Sequence, residues 1–422
     1  MPERALLTVE DFGVNTPACR FCGAALRDTF VNLGLSPLAN SYVSAEQLDA
    51  KESFYPLHVR VCRGCLLVQL PEFESPGHIF SDYLYFSSFS DIWLAHCRHF
   101  TEEMIDWLGL DAKSQVVEVA SNDGYLLQYF LARGIPVLGV EPAANVAAAA
   151  VEKGIPTEVA FFGVEAAERL RSRGITADLI VANNVLAHVP MLNDFVEGLA
   201  RLLAPTGVIT IECPHLMRLM HENQFDTIYH EHFSYFTLTV LIRVLAKHQL
   251  DVFDVEEVST HGGSLRVFAR HATANGIASG TVEDMLARER AAGLDRLEAY
   301  TVFGDRVVAT KCDVLNFFID AYRDRKTIVG YGAPAKGNTL LNYCGIGPEW
   351  MPFTVDRSPH KQGRYLPGTH IPIRAPEALL DARPDYVLIL PWNLRDEIET
   401  QMAKVREWGG RFVVPIPRID IH

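Results

Sequence analysis

Strand-like and helix-like hydrophobic patterns alternate along the middle of the chain. The segment "SQVVEVASNDGYLLQYF" (114–130) contains an apolar strand, a small polar turn with Gly124, and an apolar-periodic helix from Tyr125 onward. Further apolar strands follow in "IPVLGVEPA" (135–143), "GIPTEVAFFG" (154–163), "ADLIVANNVLAHV" (177–189) and "TGVITIECP" (206–214). Strands that alternate with helices predict a doubly wound parallel sheet, whose ligand lies beyond the carboxyl ends of the strands.

The last third of the chain repeats this alternation on a smaller scale. After a predicted long helix over 280–300, "KTIVGYGAPAKGNTLLNYCG" (326–345) gives a strand, a glycine-rich turn and a helix start. Such a turn directs backbone N–H groups at an anion, so Gly332 and Lys336 are candidate substrate-binding residues. Further strands are predicted within "MPFTVDRSPHKQGRYLPG", "DYVLILPWN" and "GGRFVVPIP". The dinucleotide fingerprint is incomplete, so no nicotinamide cofactor is expected.

Four of the eight cysteines form two close pairs near the start of the chain. They are Cys19 and Cys22 in "CRFC" and Cys62 and Cys65 in "CRGC". Two such knuckles bring four thiolates to one tetrahedral point, the geometry of a closed structural zinc site. The alternative is four buried free thiols or a redox pair. Because four thiolates leave no position for water, the predicted zinc organises the fold and performs no chemistry.

Length and charge limit the architecture and the partners. A chain of 422 residues exceeds what one hydrophobic core supports, and three domains are predicted: a zinc-binding domain (1–77), a central ligand-binding α/β domain (78–300) and a C-terminal Rossmann-like domain (301–422). The net charge of −14 argues against nucleic acid or an anionic membrane as partner. No apolar run is long enough to span a bilayer and no signal peptide is evident, so a cytoplasmic protein is expected. A monomer or weak oligomer is expected as well.

The order of motifs in the central region resembles the class I methyltransferases that bind S-adenosylmethionine. In that resemblance "EVASNDG" is the first motif, with Glu118, Ser121, Asn122 and Gly124 as cofactor-binding residues. Further cofactor candidates, each at or just after the end of a strand, are Glu141 for the ribose hydroxyls, Phe161 or Phe162 beside the adenine, and Asn183. Core packing is the alternative for the two phenylalanines.

The segment "DTIYHEHFSYF" (226–236) concentrates titratable side chains between the fifth strand and the next helix. A metalloprotease site needs histidines four residues apart on one helical face, whereas His230 and His232 are two apart. The side chains could be loop anchors. Alternatively, they have the parts to deprotonate a carbon next to a ketone: a histidine base, Glu231 to orient it, and tyrosine hydroxyls to donate to an enolate oxygen.

A more specific resemblance extends over nearly the whole chain. The motifs "DYLYFSSFSD", "NNVLAHV", "YHEHFSYF", "HGGSLRV", "GYGAPAKGNTLLNYC" and "LPWN", together with the paired cysteine knuckles, resemble the nucleotide-sugar C-methyltransferases. Above all they are similar to the TDP-sugar C-3' methyltransferases of deoxysugar pathways. The resemblance implies S-adenosylmethionine as cofactor, and a TDP-linked 4-keto-6-deoxy sugar that is deprotonated and then methylated at C-3'.

Site residues are also implied by the resemblance. His232 would be the base, with Tyr229 and Glu231 beside it, and Tyr83 and His188 would reach the same site from other loops. His230 would be structural. Tyr83 could instead be a core or interface tyrosine, and His188 could pack at a helix start.

The second Rossmann-like unit would hold the sugar nucleotide, opposite the methyl donor. In "HGGSL", His261 and Gly263 are further substrate-binding candidates, although a tight strand bend also explains the glycines. The sequence is also compatible with two other functions. One is methylation at C-5', which the same ketone acidifies, and the other is a noncatalytic binding module with a methyltransferase fold.

Overall fold

The computed structural model describes residues 16–79, 87–89, 91–274, 276 and 278–422. By spatial contacts the chain divides into two compact units. The first unit contains the residues up to Arg27, Cys62–His215 and Phe233–Asp295. The second unit contains Asp28–Val61, Leu216–His232 and Arg296–His422. The domain boundaries at residues 77 and 300 remain a prediction.

Both units contain β-strands, most of which are short. In chain order the strands are β1 (Asp28–Ser36), β2 (Tyr55–Val61), β3 (Val68–Gln69), β4 (Val116–Val119), β5 (Val137–Val140), β6 (Thr157–Glu158), β7 (Ala177–Asn183), β8 (Leu203–Pro214), β9 (Ser234–Tyr235), β10 (Leu250–Val258), β11 (Ser264–His271), β12 (Ile328–Tyr331), β13 (Thr354–Val355), β14 (Ile373–Arg374), β15 (Tyr386–Ile389), β16 (Arg411–Val414) and β17 (Asp420–Ile421).

The α-helices alternate with these strands over most of the chain. In chain order they are α1 (Pro76–Ile79), α2 (Asp91–Leu108), α3 (Leu127–Ala132), α4 (Ala144–Glu152), α5 (Val164–Ser172), α6 (Leu192–Leu202), α7 (Leu216–His221), α8 (Leu238–Lys247), α9 (Gly280–Ala291), α10 (Glu298–Thr301), α11 (Phe303–Arg323), α12 (Ala335–Cys344), α13 (Glu377–Ala382) and α14 (Arg395–Gln401).

The first unit is built on a seven-stranded sheet with the order β10-β11-β8-β7-β4-β5-β6. The five strands from β8 to β6 are parallel, whereas β10 and β11 are antiparallel additions at one edge. Buried side chains of α2, α3 and the sheet, among them Phe100, Phe130 and Phe268, share one apolar cluster. The strand order reverses between β4 and β7, and ligands of doubly wound sheets bind at such a switch point.

The second unit contains a six-stranded sheet with the order β14-β13-β12-β15-β16-β17. All its strands are parallel except β17, which runs antiparallel to β16. The switch point lies between β12 and β15, so the loops after these two strands share one edge. This unit also holds the antiparallel pair β1 and β2, where Phe30 stacks on Phe303 with ring centroids 4.7 Å apart.

One predicted helix is shorter than its sequence pattern. The hydrophobic spacing over 280–300 predicted a single helix, but α9 ends at Ala291 and α10 starts at Glu298. Gly293 follows the end of α9 with φ of 77°. This left-handed conformation is favourable for glycine and ends a helix, so "AAGL" is a stop signal inside the pattern.

The fold class predicted from the sequence is confirmed. The chain has a class I methyltransferase Rossmann-like sheet, a cluster of four cysteines near its start and a further α/β sheet toward its end. Along the described part of the chain, no helix combines the length and the apolar character needed to cross a membrane.

Candidate functional site

The four predicted metal ligands converge in the first unit. The Sγ atoms of Cys19, Cys22, Cys62 and Cys65 all lie within 4.8 Å of one another. The distance between Cys19 Sγ and Cys65 Sγ is 3.6 Å, and that between Cys22 Sγ and Cys62 Sγ is 3.5 Å. Tetrahedral zinc with bonds of about 2.3 Å places its sulfur ligands about 3.8 Å apart, whereas a disulfide needs about 2.05 Å. The cluster therefore fits a zinc ion.

The cysteine knuckles are fixed to two helices of the same unit. Asn193 at the start of α6 donates its amide to the carbonyl oxygens of Arg20 and Phe21, at 3.1 and 3.0 Å. From α8, Arg243 donates to the Cys65 carbonyl at 3.1 Å and Lys247 donates to the Phe21 carbonyl at 3.2 Å. These bonds connect each knuckle to the scaffold, which fits a structural role for the metal.

Strand β4 and the turn after it bring four of the predicted cofactor residues to the switch point of the first sheet. Gly124 has φ of 75°, and a Cβ there would lie 2.2 Å from the Ile155 side chain, so any other residue would be strained and would displace that side chain. Glu141 follows β5, and its carboxylate accepts the N–H of Asn122 at 2.9 Å and of Ala143 at 2.8 Å. This contact holds the acid next to the turn, in agreement with the predicted ligand edge.

Several polar atoms around this turn are buried without a hydrogen-bond partner. Within the described part of the chain these atoms include the Ser121 hydroxyl and the Asn183 amide oxygen. Glu118 on β4 is fully buried, and loss of hydration raises the pKa of its carboxyl well above the ordinary range. Buried polar groups are rarely left unpaired in folded proteins. An edge with such atoms fits a polar ligand like S-adenosylmethionine.

The two phenylalanines after β6 have different environments. The side chain of Phe161 is 53% exposed. Phe162 instead contacts Phe195 edge to face, with ring centroids 5.5 Å apart. Phe161 is thus the ring of this pair that a ligand could reach, whereas Phe162 belongs to the packing against α6. The position of Phe161 beside an adenine remains a prediction.

The remaining candidates of the first unit lie at loops that follow strands. His188 ends a short 3-10 turn, Leu186–His188, after β7. His261 belongs to the 3-10 turn Thr260–Gly262 before β11. Gly263 has φ of 109°, and its carbonyl accepts the His215 N–H at 3.1 Å. The positive φ fits the explanation of this glycine by a tight bend. A substrate role for His261 or Gly263 remains a prediction.

The segment of residues 226–232, which carries the predicted base and is called the base-bearing segment below, lies in the second unit. His232 is half-buried, and its Nδ1 is 2.8 Å from the carbonyl oxygen of Thr227. A carbonyl only accepts hydrogen bonds, so Nδ1 carries the hydrogen and the neutral ring has its lone pair on Nε2. The Tyr229 ring lies against the imidazole, with centroids 4.1 Å apart and planes inclined by 32°. This segment thus presents a histidine in a defined tautomer next to a tyrosine.

Glu231 is held by a residue that the sequence analysis did not identify. Its carboxylate is buried, and Oε1 accepts the Asn40 side-chain amide at 2.7 Å. Burial raises the pKa of Glu231 to about 7, although the bond from Asn40 acts in the opposite direction. The imidazole of His232 is therefore oriented by Thr227, whereas Glu231 is placed to titrate near neutral pH.

Lys336 and Gly332 lie at the switch point of the second sheet. Gly332 has φ of 90°, and a Cβ there would lie 2.5 Å from Pro391. Lys336 is in the first turn of α12, where its Nζ donates to Asn393 Oδ1 at 2.8 Å and lies 4.3 Å from the centre of the Trp392 ring. Burial lowers the pKa of this ammonium group. The positive charge and the helix start together suit an anion.

Sequence reasoning gave no role to Asp226, Trp392 or Asn40. Trp392 Nε1 donates to Asp226 Oδ2 at 2.7 Å, and Asp226 is fully buried. The signal for Trp392 was its motif "LPWN" after an apolar strand, at the edge where ligand loops occur. Asn40 carried no comparable signal, because it lies between the two cysteine pairs in a stretch that was interpreted only as metal-binding.

The five predicted catalytic residues do not all belong to one unit. Tyr229, Glu231 and His232 belong to the second unit, and His188 belongs to the first. Tyr83 lies outside the described residues.

Three family models match this chain in succession. They are described as a zinc binding domain over residues 19–80, a methyltransferase domain over residues 93–255, and a C-methyltransferase C-terminal domain over residues 259–417. Together with the doubly wound sheet and the four-cysteine cluster, they define the class: a zinc-binding methyltransferase.

The whole chain also has a curated relative. The C-methyltransferase NovU from Streptomyces niveus is 39% identical over 399 residues, which cover 94% of this chain and 95% of that protein. The chain therefore belongs to the C-methyltransferase family that includes NovU, in agreement with the family resemblance of its motifs. Its cofactors are S-adenosylmethionine and a structural zinc ion.

Solved structures resemble only part of the chain. Magnesium protoporphyrin IX methyltransferase from Synechocystis, with bound S-adenosylmethionine, is 15% identical, covers 46% of this chain and 88% of its own, and gives a TM-score of 0.32. An S-adenosylmethionine-dependent methyltransferase from Clostridium acetobutylicum is 13% identical, with 46% and 97% coverage and a TM-score of 0.35. At these TM-scores the likeness supports no conclusion about substrate or mechanism.

Proposed function

We propose that the protein transfers a methyl group from S-adenosylmethionine to C-3' of a TDP-linked 4-keto-6-deoxy sugar. The proposal includes a place in deoxysugar biosynthesis, of the kind that supplies antibiotics, and a cytoplasmic location. The observation that carries it is the hydrogen bond from His232 Nδ1 to Thr227 O, which leaves the basic lone pair on Nε2. A base in a fixed tautomer suits a reaction that starts with removal of a proton from carbon.

The proton-transfer step follows from the chemistry of a ketone. The C-3'–H bond lies next to the C-4' carbonyl, so its electron pair moves into a C-3'–C-4' double bond and charge develops on the carbonyl oxygen. Nε2 of His232 takes the proton and the ring becomes an imidazolium. An unperturbed imidazole has a pKa close to working pH, which favours general base catalysis.

Tyr229 is the proposed hydrogen-bond donor to the enolate oxygen. Its ring lies against the imidazole of His232 at 4.1 Å between centroids. A phenol donates one O–H and does not ionise near neutral pH. A donor aimed at developing negative charge commonly contributes a factor of about 100 to 1000 in rate.

Glu231 is proposed to adjust the charge of the same segment. Burial raises the pKa of Glu231 to about 7, so the carboxyl group changes its charge in the pH range where imidazole also does. The Asn40 amide keeps Oε1 in one place at 2.7 Å. In its ionised form Glu231 favours the imidazolium that forms when His232 takes the proton.

The diphosphate of the sugar nucleotide is proposed to bind at the second switch point. Lys336 supplies an ammonium group in the first turn of α12, and Gly332 brings backbone close to the ligand. The protein as a whole carries a net charge of −14, so this local cation is needed to attract an anion.

S-adenosylmethionine, when bound, supplies an electrophilic methyl group. Glu118, Ser121, Asn122, Gly124, Glu141, Phe161 and Asn183 are the residues proposed to hold it. Glu141 would accept the ribose hydroxyls, and Phe161 would cover one face of the adenine. The zinc cluster takes no part in the chemistry, since four thiolates leave no open position on a tetrahedral ion.

The proposal is tested by incubation with methyl-labelled S-adenosylmethionine and TDP-4-keto-6-deoxyglucose derivatives in deuterated water. The expected result is a product with one added methyl group on C-3', located by NMR, and deuterium at C-3' of unreacted substrate. A methyl group on oxygen or nitrogen would overturn the proposal.

Two other results would replace it with an alternative. A methyl group on C-5' would show that the base acts on the other carbon next to the same ketone. Binding of S-adenosylmethionine without any product from a panel of keto sugars would favour a noncatalytic binding module.

A further inference from the structure

We propose that Trp392 and Asp226 are positioning residues for the base. Their hydrogen bond fixes the start of the base-bearing segment, and through Thr227 it maintains the Nδ1–H tautomer of His232. This inference rests on the proposed function for its kinetic consequence, but its structural consequence is independent of any substrate. All four residues belong to the second unit.

The Trp392–Asp226 contact is a side-chain hydrogen bond to a fully buried carboxyl group. Nε1 of the indole donates to Oδ2 at 2.7 Å. The other oxygen, Oδ1, is buried and has no hydrogen-bond partner in the described part of the chain. A buried carboxyl group is costly unless it is hydrogen-bonded. The indole adds to the backbone N–H groups of Asp226 and Thr227 as a donor to this carboxyl group, so it influences where Asp226 sits.

Asp226 is connected to His232 through one peptide bond, to Thr227, and one hydrogen bond, from His232 to Thr227. It lies in the 3-10 turn Phe225–Thr227, and the carbonyl oxygen of the next residue, Thr227, accepts the His232 Nδ1–H at 2.8 Å. A displacement of Asp226 therefore moves the carbonyl that selects the tautomer. The turn is fixed from its far side as well, since the Ile228 carbonyl accepts the Thr339 hydroxyl at 2.9 Å.

Trp392 is also in contact with the proposed anion site. It follows β15, next to β12 at the switch point, and the Lys336 ammonium group lies 4.3 Å from the centre of its ring. One side chain thus contacts both the cation proposed to bind the diphosphate and the segment that carries the base. The indole at the third position of "LPWN" fits this arrangement, because it offers both a large ring for the cation and an N–H donor.

The decisive variant is Trp392→Phe, which keeps a ring beneath Lys336 and deletes the N–H donor. The matched control is Trp350→Phe, because Trp350 is in the same unit and its ring packs against Phe318 and Tyr322. Two readouts are needed. One is the tautomer of His232, measured by ring-nitrogen-15 NMR with histidine labelling, and the other is the separate determination of kcat and KM for the sugar nucleotide.

In Trp392→Phe we expect the Nδ1–H population of His232 to fall and kcat to decrease about 10-fold, the effect of losing one hydrogen bond to a charged group. KM for the sugar nucleotide should stay within about twofold, since Lys336 keeps its ring contact. Trp350→Phe should match the wild type in both readouts. Wild-type tautomer and kcat in Trp392→Phe would overturn the proposal.

A second variant separates the hydrogen bond from the charge. Asp226→Asn retains an oxygen that accepts the indole N–H, so it should keep the His232 tautomer and lose less activity than Trp392→Phe. Loss of the tautomer in a folded Asp226→Asn protein would contradict the hydrogen-bond account. If the wild type binds no keto sugar but Trp392→Phe still shifts the tautomer, the proposed function fails and this inference stands.

Discussion

The ligand edges of the two sheets share one backbone plan and differ in charge. In the first unit the acid after β5, the strand beside β4, is Glu141, which accepts the N–H of Asn122 at 2.9 Å and of Ala143 at 2.8 Å. In the second unit the corresponding acid is Asp356. It accepts the N–H of Ala333 at 2.7 Å and of Ser358 at 2.8 Å. Each acid therefore links the preceding turn to its own loop.

The side chains around the two turns differ in a way that fits different ligands. At the second turn Lys336 lies in the first turn of α12, and Lys361 donates to the Ala333 carbonyl at 2.9 Å. At the first turn the ammonium group of Lys153 is paired with Asp123 at 2.9 Å. A shared fold thus leaves the choice of ligand to a few side chains, and two lysines lie at the turn where an anion is proposed, one of them 3.7 Å from Asp356.

Buried carboxyl groups differ in whether a cationic partner or burial decides their pKa. In the first unit Glu212 contacts His96 at 3.0 Å and Arg266 at 3.3 Å, and although burial acts in the opposite direction these partners keep its pKa below the ordinary value. In the second unit burial raises the pKa of Asp226 to about 6 and of Glu231 to about 7. Cationic partners thus stabilise the ionised form of Glu212, whereas burial prevails at Asp226 and Glu231, as it does at Glu118 of the first unit.

The largest expected effect separates chemistry from cofactor binding. His232→Asn should reduce proton exchange at the methylated carbon by a factor of about 100 to 10,000, the usual contribution of a general base. S-adenosylmethionine affinity should not change, because its predicted residues belong to the other unit. Exchange is measured by deuterium incorporation and affinity by calorimetry. His221→Asn, at the exposed end of α7, is the control. Equal exchange in both variants would remove the base assignment.

The sequence predicted the elements of both sheets better than the contacts inside the site. Apolar runs bounded by small polar turns identified β4, β5, β7 and β12, because strand burial is a local property of the pattern. The cysteine spacing predicted the metal cluster for the same reason. Asn40 and Glu231 are 191 positions apart, and no local pattern encodes such a contact. The same holds for Trp392 and Asp226.

The next effect concerns stability as a function of pH. Glu231 has a pKa of about 7 in the folded protein, above its value in the unfolded chain. Folding therefore favours the protonated form, and this contribution is present below about pH 4.5 and declines as the pH rises toward 7. The stability of Glu231→Gln lacks this decline, because the amide does not titrate. Relative to wild type it should gain stability on the order of 3 kcal/mol between pH 4.5 and 8.

Denaturant unfolding of both proteins at pH 4.5 and pH 8 measures this difference. The matched control is Glu222→Gln, because Glu222 is partly exposed and ion-paired with Arg218 at 2.8 Å in the same unit. A constant difference between Glu231→Gln and wild type across the pH range would mean that the Glu231 carboxyl group is ionised throughout.

A smaller effect is expected at the second ligand edge. Lys336→Met keeps the aliphatic stem over Trp392 and removes the ammonium group, so KM for the sugar nucleotide should rise about 10- to 100-fold, as for a lost charged hydrogen bond. Lys326→Met is the control, since Lys326 is exposed and pairs with Asp385 at 2.9 Å. Similar KM values in the two variants would exclude Lys336 as the anion-binding residue.

The smallest effect tests the shared backbone plan directly. In Glu141→Gln the new amide group opposes one of the two backbone N–H groups that the carboxylate accepts. Affinity for S-adenosylmethionine should fall about 5- to 10-fold, with sugar-nucleotide KM unchanged. Asp356→Asn should give the reverse pattern, because it disturbs the corresponding bonds of the second turn. If both variants weaken the same ligand, the two edges do not bind separate ligands, and the likeness of their acids reflects only how each turn is held.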